Sequence, residues 1–495
     1  MEKRVAIIGA GISGLLACKY ALAKGFHPTI FEAQDCVGGL WNHTIESTKL
    51  QNAKQDFHFS DFPWPSSVQE MFLTTPKSWT TFDLMLNILV YYLVSNLSQR
   101  NHANLLYIVS ILLNVPKGLL KEYVVEFVIV CTGRFCGLPD IPEFPQDQGP
   151  EVFGGKVLHS MEYSAMDNAS AAELIKGKNI AIIGSKKSAV DLAYECADVN
   201  GADNPCTMIQ RTVHWMLPSN YAWGVRIDFL YLNRLAELLV HKPGEGFLHS
   251  ALASILSPLM GTSLEEDKMI PPHGFLQDMY SCQILMLPPN FYDRVVEGSN
   301  VLKKSKSIGF CREGLIIDGE DQPLKADIVI LATGYRGDQK LKNIFTSPIF
   351  QNYILGPSSS TISLYRQIIH PRIPQLAVIG YSESLNNLYT LEMKCRWLAY
   401  FLDQTFQFPS TKEMEKDVAA WDKYMKRYAG KYYGGPCVGA INIWYNDQLC
   451  KDIGCNPRRK KGFYSELIEL YGPGDYMELA PQILRTETSP ENNNL

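Results

Sequence analysis

Val5-Ala6-Ile7-Ile8-Gly9-Ala10-Gly11-Ile12-Ser13-Gly14 runs near the start of the chain, and Pro28-Thr29-Ile30-Phe31-Glu32 follows one helix-length later. The apolar run before Gly9 suits a parallel strand buried on both faces. A helix from about Ser13 to Lys24, closed by Gly25, and a second strand over 28–32 complete a βαβ unit. G-x-G-x-x-G placed between such a strand and helix has a mechanical meaning. Gly9 permits the tight turn, Gly11 lets the backbone approach a pyrophosphate at the helix N-terminus, and Gly14 lets helix and strand pack closely, with Ala10, Ile12 and Ser13 completing the loop. A carboxylate about 20 residues on, here Glu32, accepts hydrogen bonds from ribose hydroxyls and repels a 2′-phosphate, which favours FAD or NAD at this site. Gly38-Gly39-Leu40-Trp41 follows. Two adjacent glycines before a bulky aromatic suit a backbone pressed against a flat ligand, and suit equally a turn before a core tryptophan.

A second unit begins at Asn179-Ile180-Ala181-Ile182-Ile183-Gly184, continues through a helix containing Ala189 to Tyr194, and reaches a strand at Thr207 to Gln210. Gly184-Ser185-Lys186-Lys187-Ser188-Ala189 keeps the first glycine; Lys186 stands for the second and Ser188, still small enough for close packing, for the third. Lys186 and Lys187 are expected to add positive charge near a bound phosphate. Arg211, just past the strand, is read as occupying the place of Glu32. Arginine there accommodates a 2′-phosphate, so this site reads as NADPH, with a plain surface arginine as the alternative. Two more runs look alike, Phe127 to Gly133 and Ile328 to Tyr335 (containing Thr333-Gly334), each a buried strand ending in a small-residue turn.

Composition limits the alternatives. The 495 residues are 46% apolar and 20% charged, the profile of a globular chain of two or three units. A formal charge of −5 leaves no overall basic field, so nucleic acid is not an expected partner. Twelve cysteines without a C-x-x-C pair read as reduced, mostly buried thiols rather than a disulfide scaffold or zinc module. No H-E-x-x-H and no G-x-S-x-G occurs, and the ten histidines are dispersed, so neither a metal site nor a hydrolase elbow is expected. Met1 to Arg4 leads straight into the first strand without a charged leader and apolar core, which suggests a cytoplasmic start. Between about Gly224 and Gln283 the alternation gives way to helix-like apolar stretches, Leu230 to Val240 and Phe247 to Met260, too short to span a bilayer. Peripheral contact with a membrane, such as that of the endoplasmic reticulum, stays open.

Phe153-Gly154-Gly155-Lys156-Val157-Leu158-His159-Ser160-Met161-Glu162-Tyr163 resembles the F-x-G-x-x-x-H segment of flavin-containing monooxygenases. Gly9 to Gly14, Gly38 to Trp41, Phe59 to Pro65, Gly184 to Ala189 and Leu331 to Tyr335 fall in that family's order, and the resemblance covers roughly residues 3–70 and 124–475. It is greatest to the plant branch related to an immunity-linked, pipecolate-type amine N-hydroxylase. The resemblance implies an α/β fold of two dinucleotide-binding (Rossmann-like) domains, the NADPH domain inserted into the FAD domain. The expected division is 1–150 for the first FAD part, 151–325 for the NADPH domain with its helical insertion at 224–283, 326–480 for the second FAD part, and a flexible tail at 481–495. It further implies FAD and NADPH as cofactors, and O₂ and a small amine- or sulfur-containing metabolite as substrates, joined through a C4a-hydroperoxyflavin. Asn52 lies near the position of an asparagine that holds this intermediate in animal members, and His159 either orients the segment between domains or touches substrate. Related activities, S-oxygenation, decarboxylation and Baeyer-Villiger oxygenation, use the same cofactors. A catalytically impaired flavoprotein or NADPH-binding regulatory relative is the alternative from another class. It gains ground from Met71 to Tyr123, where the resemblance stops; plausible codons for Leu73 to Leu89, shifted by one base, read like the family's segment there.

Overall fold

The computed structural model describes residues 4–62, 64, 123–218, 221–222, 225–241, 243, 270–355, 362–385 and 387–479. Most of the departing 71–123 segment, the expected apolar stretch 247–260 and the tail 481–495 lie outside the described residues.

Two five-stranded sheets organise the chain. The first holds β1 (Arg4–Ile8), β2 (His27–Phe31), β3 (Phe127–Val130), and later β9 (Ile369–His370) and β10 (Ile373–Val378), in the order β9-β10-β3-β1-β2. All its pairings are parallel except β9 with β10. Helix α1 (Ile12–Ala23) crosses from β1 to β2 as expected, shifted by one residue at each end. The second sheet comprises β4 (Lys156–His159), β5 (Ile180–Ile183), β6 (Cys206–Gln210), β7 (Asn300–Lys304) and β8 (Ile328–Leu331), wholly parallel in the order β7-β6-β5-β8-β4. Helix α2 (Lys187–Asn200) joins β5 to β6 and buries Val190, Leu192, Ala193 and Cys196. Since β1 to β3 precede the second sheet and β9 and β10 follow it, one dinucleotide-binding fold is inserted into the other. One expectation shifts. Ile328–Leu331, placed at the head of the second FAD part, is β8 of the inserted sheet, with Val329, Ile330 and Leu331 paired to both β5 and β4.

Parallel sheets need cover on both faces, and the described residues form separate cores to provide it. Around the first sheet, Ile7, Leu16 and Ile129 pack against Trp397 and Leu398 of α3 (Asn387–Leu402) and Leu449 of α5 (Asn442–Ile453), while α4 (Thr411–Ala429) adds Met414. Ile182, Ile330, Leu192 and Met208 build the core of the second. In the 224–283 region, the apolar reading of Leu230 to Val240 becomes a helical turn, Arg234–Ala236, running into a wider turn at Glu237–His241, followed by a short helix Phe275–Tyr280. No helix of the described residues is long and apolar enough to cross a membrane.

Candidate functional site

The first Gly-rich turn is built by contacts that only glycine permits. At Gly9 (φ +108°) a Cβ would lie 2.5 Å from the Cys131 carbonyl oxygen, and at Gly14 one would lie 1.9 Å from the Gly9 oxygen. Gly11 differs: the nearest atom to its virtual Cβ is the Gly39 Cα at 3.7 Å, so its missing side chain leaves room rather than relieving a clash. Gly39 faces it at φ +61°, and the Gly38 amide donates to the Ala10 carbonyl at 3.0 Å. Leu40 is exposed, whereas Trp41 is half-buried and packs beside Phe57 with ring centroids 6.1 Å apart, next to the close backbone approach of the two glycine loops. No side chain caps α1 and no acid occupies its first turn, which leaves the amides of Ile12, Ser13 and Gly14 available to an anion. Glu32 is fixed at the end of β2 by backbone donors: Ala10 at 2.6 Å to Oε2, Ala33 at 2.9 Å and Gln34 at 3.0 Å to Oε1. An anion-receptive helix start, backbone free to approach and an oriented carboxylate together fit the pyrophosphate and ribose of a dinucleotide.

The second turn repeats the construction. At Gly184 (φ +159°) a Cβ would lie 2.4 Å from the Ala332 carbonyl oxygen, as Gly9 stands to Cys131, which explains why the chain carries two similar strand-to-small-residue runs. Helix α2 likewise starts at Lys186 without a side-chain cap or an acid in its first turn. Three sequence readings change here. Ser188 is exposed; the close-packed third position is Ala189, fully buried and 3.1 Å from the virtual Cβ of Gly184, which restores the two-then-three spacing of Gly9, Gly11 and Gly14. Lys187 turns back along the helix to pair with buried Asp191, so of the two lysines only Lys186, with Ser185 before it, stays at the turn. Arg211 does not stand where Glu32 stands. Gly9 donates to Phe31 at the end of β2 and Gly184 donates to Ile209 of β6, and Ile8 pairs with Phe31 as Ile183 pairs with Ile209. By that register Gln210 is the counterpart of Glu32, and Arg211 lies one residue beyond, exposed at the strand end. Replacing the acid by an uncharged amide removes the repulsion of a 2′-phosphate, and the adjacent arginine adds attraction.

The two halves meet along the loop after Trp41. Ser47 donates to the Asp191 carbonyl at 3.0 Å, Gln51 accepts from the Met286 amide at 3.1 Å, and Asp56 pairs with Arg226 at 2.6 Å. Asn52 sits between these anchors, its amide nitrogen bonded to the Leu385 carbonyl, so it lies at the junction of the halves. Burial and neighbouring Asp228 raise the Asp56 carboxyl to about 7, with Arg226 opposing them. Thr333 donates to the Asp140 carbonyl at 2.5 Å, and Asp140 returns a bond to Gly334 at 2.9 Å, tying the end of β8 to the linker. His159 is a structural cap. Its Nδ1 accepts from Met161 at 3.1 Å, Glu162 accepts from its amide, and its ring meets Tyr335 edge-on at 5.4 Å. Within the same motif Gly155 is needed because a Cβ would lie 2.3 Å from the Asp327 oxygen.

Two groupings escaped the sequence reading. Cys282 and Cys437 form a disulfide, contrary to the expectation of reduced thiols throughout; the other ten cysteines are free, seven of them buried. They are 155 residues apart, and only the return of the chain to the first domain brings them together. His214, His273 and Asp278, all buried, offer ligand atoms within 4.8 Å of one another where no metal site is expected. Neither follows any short-range spacing.

Fold and cradles define a two-dinucleotide flavoprotein oxidoreductase. Residues 2–465 match the flavin-binding monooxygenase-like family, and the chain belongs to it. A probable flavin-containing monooxygenase 1 of Arabidopsis thaliana is 36% identical over 96% of both chains. Among solved structures, the chain is similar to an S-allyl-L-cysteine S-oxygenase from Allium sativum (TM-score 0.55, 17% identity, 92% of this chain and 89% of that one). It is likewise similar to OTEMO in complex with FAD and NADP (TM-score 0.60, 15% identity, 90% and 97%). The chain is a flavin monooxygenase.

Proposed function

We propose that this protein transfers one oxygen atom from O₂ to a nitrogen or sulfur atom of a small metabolite. The observation that carries the reading is the pairing of two uncapped Gly-rich helix starts, one faced by Glu32 and the other by Gln210 and Arg211. FAD supplies the oxygen chemistry once NADPH has reduced it. The chain's own work is binding and exclusion. The amides of Ile12, Ser13 and Gly14 hold the FAD pyrophosphate, Glu32 its ribose, and the backbone of Gly39, Leu40 and Trp41 closes over it. Gly184, Ser185, Lys186 and Ala189 receive the NADPH pyrophosphate, Arg211 the 2′-phosphate, and Thr333 and Gly334 line the same turn. Asn52, held by the Leu385 carbonyl at the junction of the halves, is the residue assigned to the reacting centre. A water-poor junction suits the reaction, because oxygen transfer competes there with loss of peroxide. The domain limits follow as 1–150, 151 to just past Leu331, and the remainder to about 480. Amine nitrogen, as in N-hydroxylation linked to plant defence, is one substrate class; the sulfur of a thioether is the other.

The test is an anaerobic titration of flavin-loaded protein with NADPH, followed by admission of O₂ with and without a trial amine or thioether. Bleaching of the flavin bands, then a product heavier by one oxygen atom, supports the reading. Bleaching with only peroxide formed, whatever the nucleophile, would favour the impaired or regulatory relative.

A further inference from the structure

We propose that His214, His273 and Asp278 form a binding site for one divalent transition-metal cation, of which Zn²⁺ is the type. His214 Nδ1 and His273 Nε2 approach the same Asp278 Oδ1, at 3.1 and 2.7 Å, and the three ligand atoms all lie within 4.8 Å of one another. Two ligands about 2.1 Å from a tetrahedral ion are separated by roughly 3.4 Å; the two nitrogen–oxygen spacings fall slightly inside that value, and the nitrogen–nitrogen spacing lies within 4.8 Å. The second oxygen of Asp278 accepts the Trp215 amide at 2.8 Å, which fixes the carboxylate as an outer partner fixes a metal ligand.

Burial sharpens the argument. Asp278 is 0% exposed, and among the described residues no arginine or lysine bonds it; its two ion-pair partners there are the imidazoles. A fully buried carboxylate is stable only when paired or coordinated to a cation, and the groups that meet this one are the two imidazoles and the Trp215 amide. His273 lies against Tyr432, ring centroids 3.9 Å apart, and its Nδ1 is buried without a partner, so hydrogen bonding does not satisfy the cluster fully. Two imidazole nitrogens and one carboxylate oxygen suit Zn²⁺ and Co²⁺, with a fourth position left for solvent. The ligands come from the segment that begins at Arg211 and from the start of the helix Phe275–Tyr280, so an occupied site clamps these two pieces together beside the second dinucleotide cradle.

The experiment uses the flavin-loaded full chain with Co²⁺ as the probe. One Co²⁺ per chain is expected to give ligand-field bands of tetrahedral intensity, erased by equimolar Zn²⁺. Asp278→Asn and His273→Gln are each expected to weaken Co²⁺ binding about 10- to 100-fold while flavin content stays unchanged. If a variant fails to fold, the spectrum of the unmodified protein decides. Absence of bands, bands dominated by thiolate-to-cobalt charge transfer from the free cysteines, or equal binding by folded variants would overturn the proposal.

Discussion

Arg211 and Gln210 illustrate how much one residue of register matters. Gln210 ends β6 and Arg211 follows it, so that spacing alone pairs Arg211 with Glu32, and only the bonds from Gly9 and Gly184 to their neighbouring strands align Gln210 with the acid. Arg211→Ser is expected to raise the KM for NADPH about 10- to 100-fold, the loss of one charge-assisted hydrogen bond, with little change in kcat or in KM for NADH. Initial rates with each coenzyme measure this; equal effects on both would show that Arg211 does not meet the 2′-phosphate. Lys394 presents a different residue-scale problem. It is buried on α3 with Ser382 as its bonded partner, and desolvation lowers its ammonium to about 7. An unfolded lysine titrates near 10.4, so between about pH 7 and 10 the unfolded chain binds more protons and stability rises with pH. Below pH 7 both states are protonated and the cost is fully present. Lys394→Met should therefore raise the melting temperature at pH 6 more than at pH 10, and melts at the two pH values test it.

Among the elements, α1 and α2 were legible because each follows an apolar strand that ends in a glycine turn, at Gly9 and Gly184. Their difference lies in how closely they approach the turn. Gly14 packs directly on Gly9, whereas the slightly larger Ala189 fits against Gly184. Gly14→Ala is expected to cost about 3 kcal/mol or more, since its methyl overlaps a backbone oxygen that cannot withdraw without moving the strand. Denaturant unfolding and flavin content of the purified variant measure the effect; a variant of normal stability and normal flavin content would refute the packing argument. The F-x-G-x-x-x-H element was legible as a family feature, yet its physical role is local: Gly155 clears Asp327 and His159 caps the helix Ser160–Ser164. Lys187 was misread because sequence shows charge but not direction, and an aspartate four residues on captures its ammonium.

For the molecule as a whole, the disulfide is the sharpest departure. Cys282 follows the helix Phe275–Tyr280, with its sulfur 3.2 Å from where a Cβ on Gly439 would lie, and Cys437 lies in the returning part of the first domain. Closing 155 residues of unfolded chain is worth at most about 5 kcal/mol in the chain-entropy account. Cys437→Ser, or a dithiol reductant, is expected to lower the melting temperature by several degrees without altering the flavin spectrum. Unchanged melting on reduction would show that the bond adds nothing in solution. Asp56, Arg226 and Asp228 form a second long-range fastening, a half-buried arginine between two buried carboxylates.

By itself the sequence determined the two βαβ units, the glycines that the turns demand, the acid of the first cradle, and membership in a recognisable family. These are legible because they rest on interactions within about thirty residues, where strand, turn and helix periods leave a pattern. Only the tertiary structure decided which residue stands opposite Glu32's place in the second cradle, where Lys187 points and which sheet holds Ile328–Leu331. It also decided that Cys282 meets Cys437 and that His214 and His273 meet on Asp278. Such meetings depend on register and on the return of distant segments to a shared core, and no local spacing encodes them.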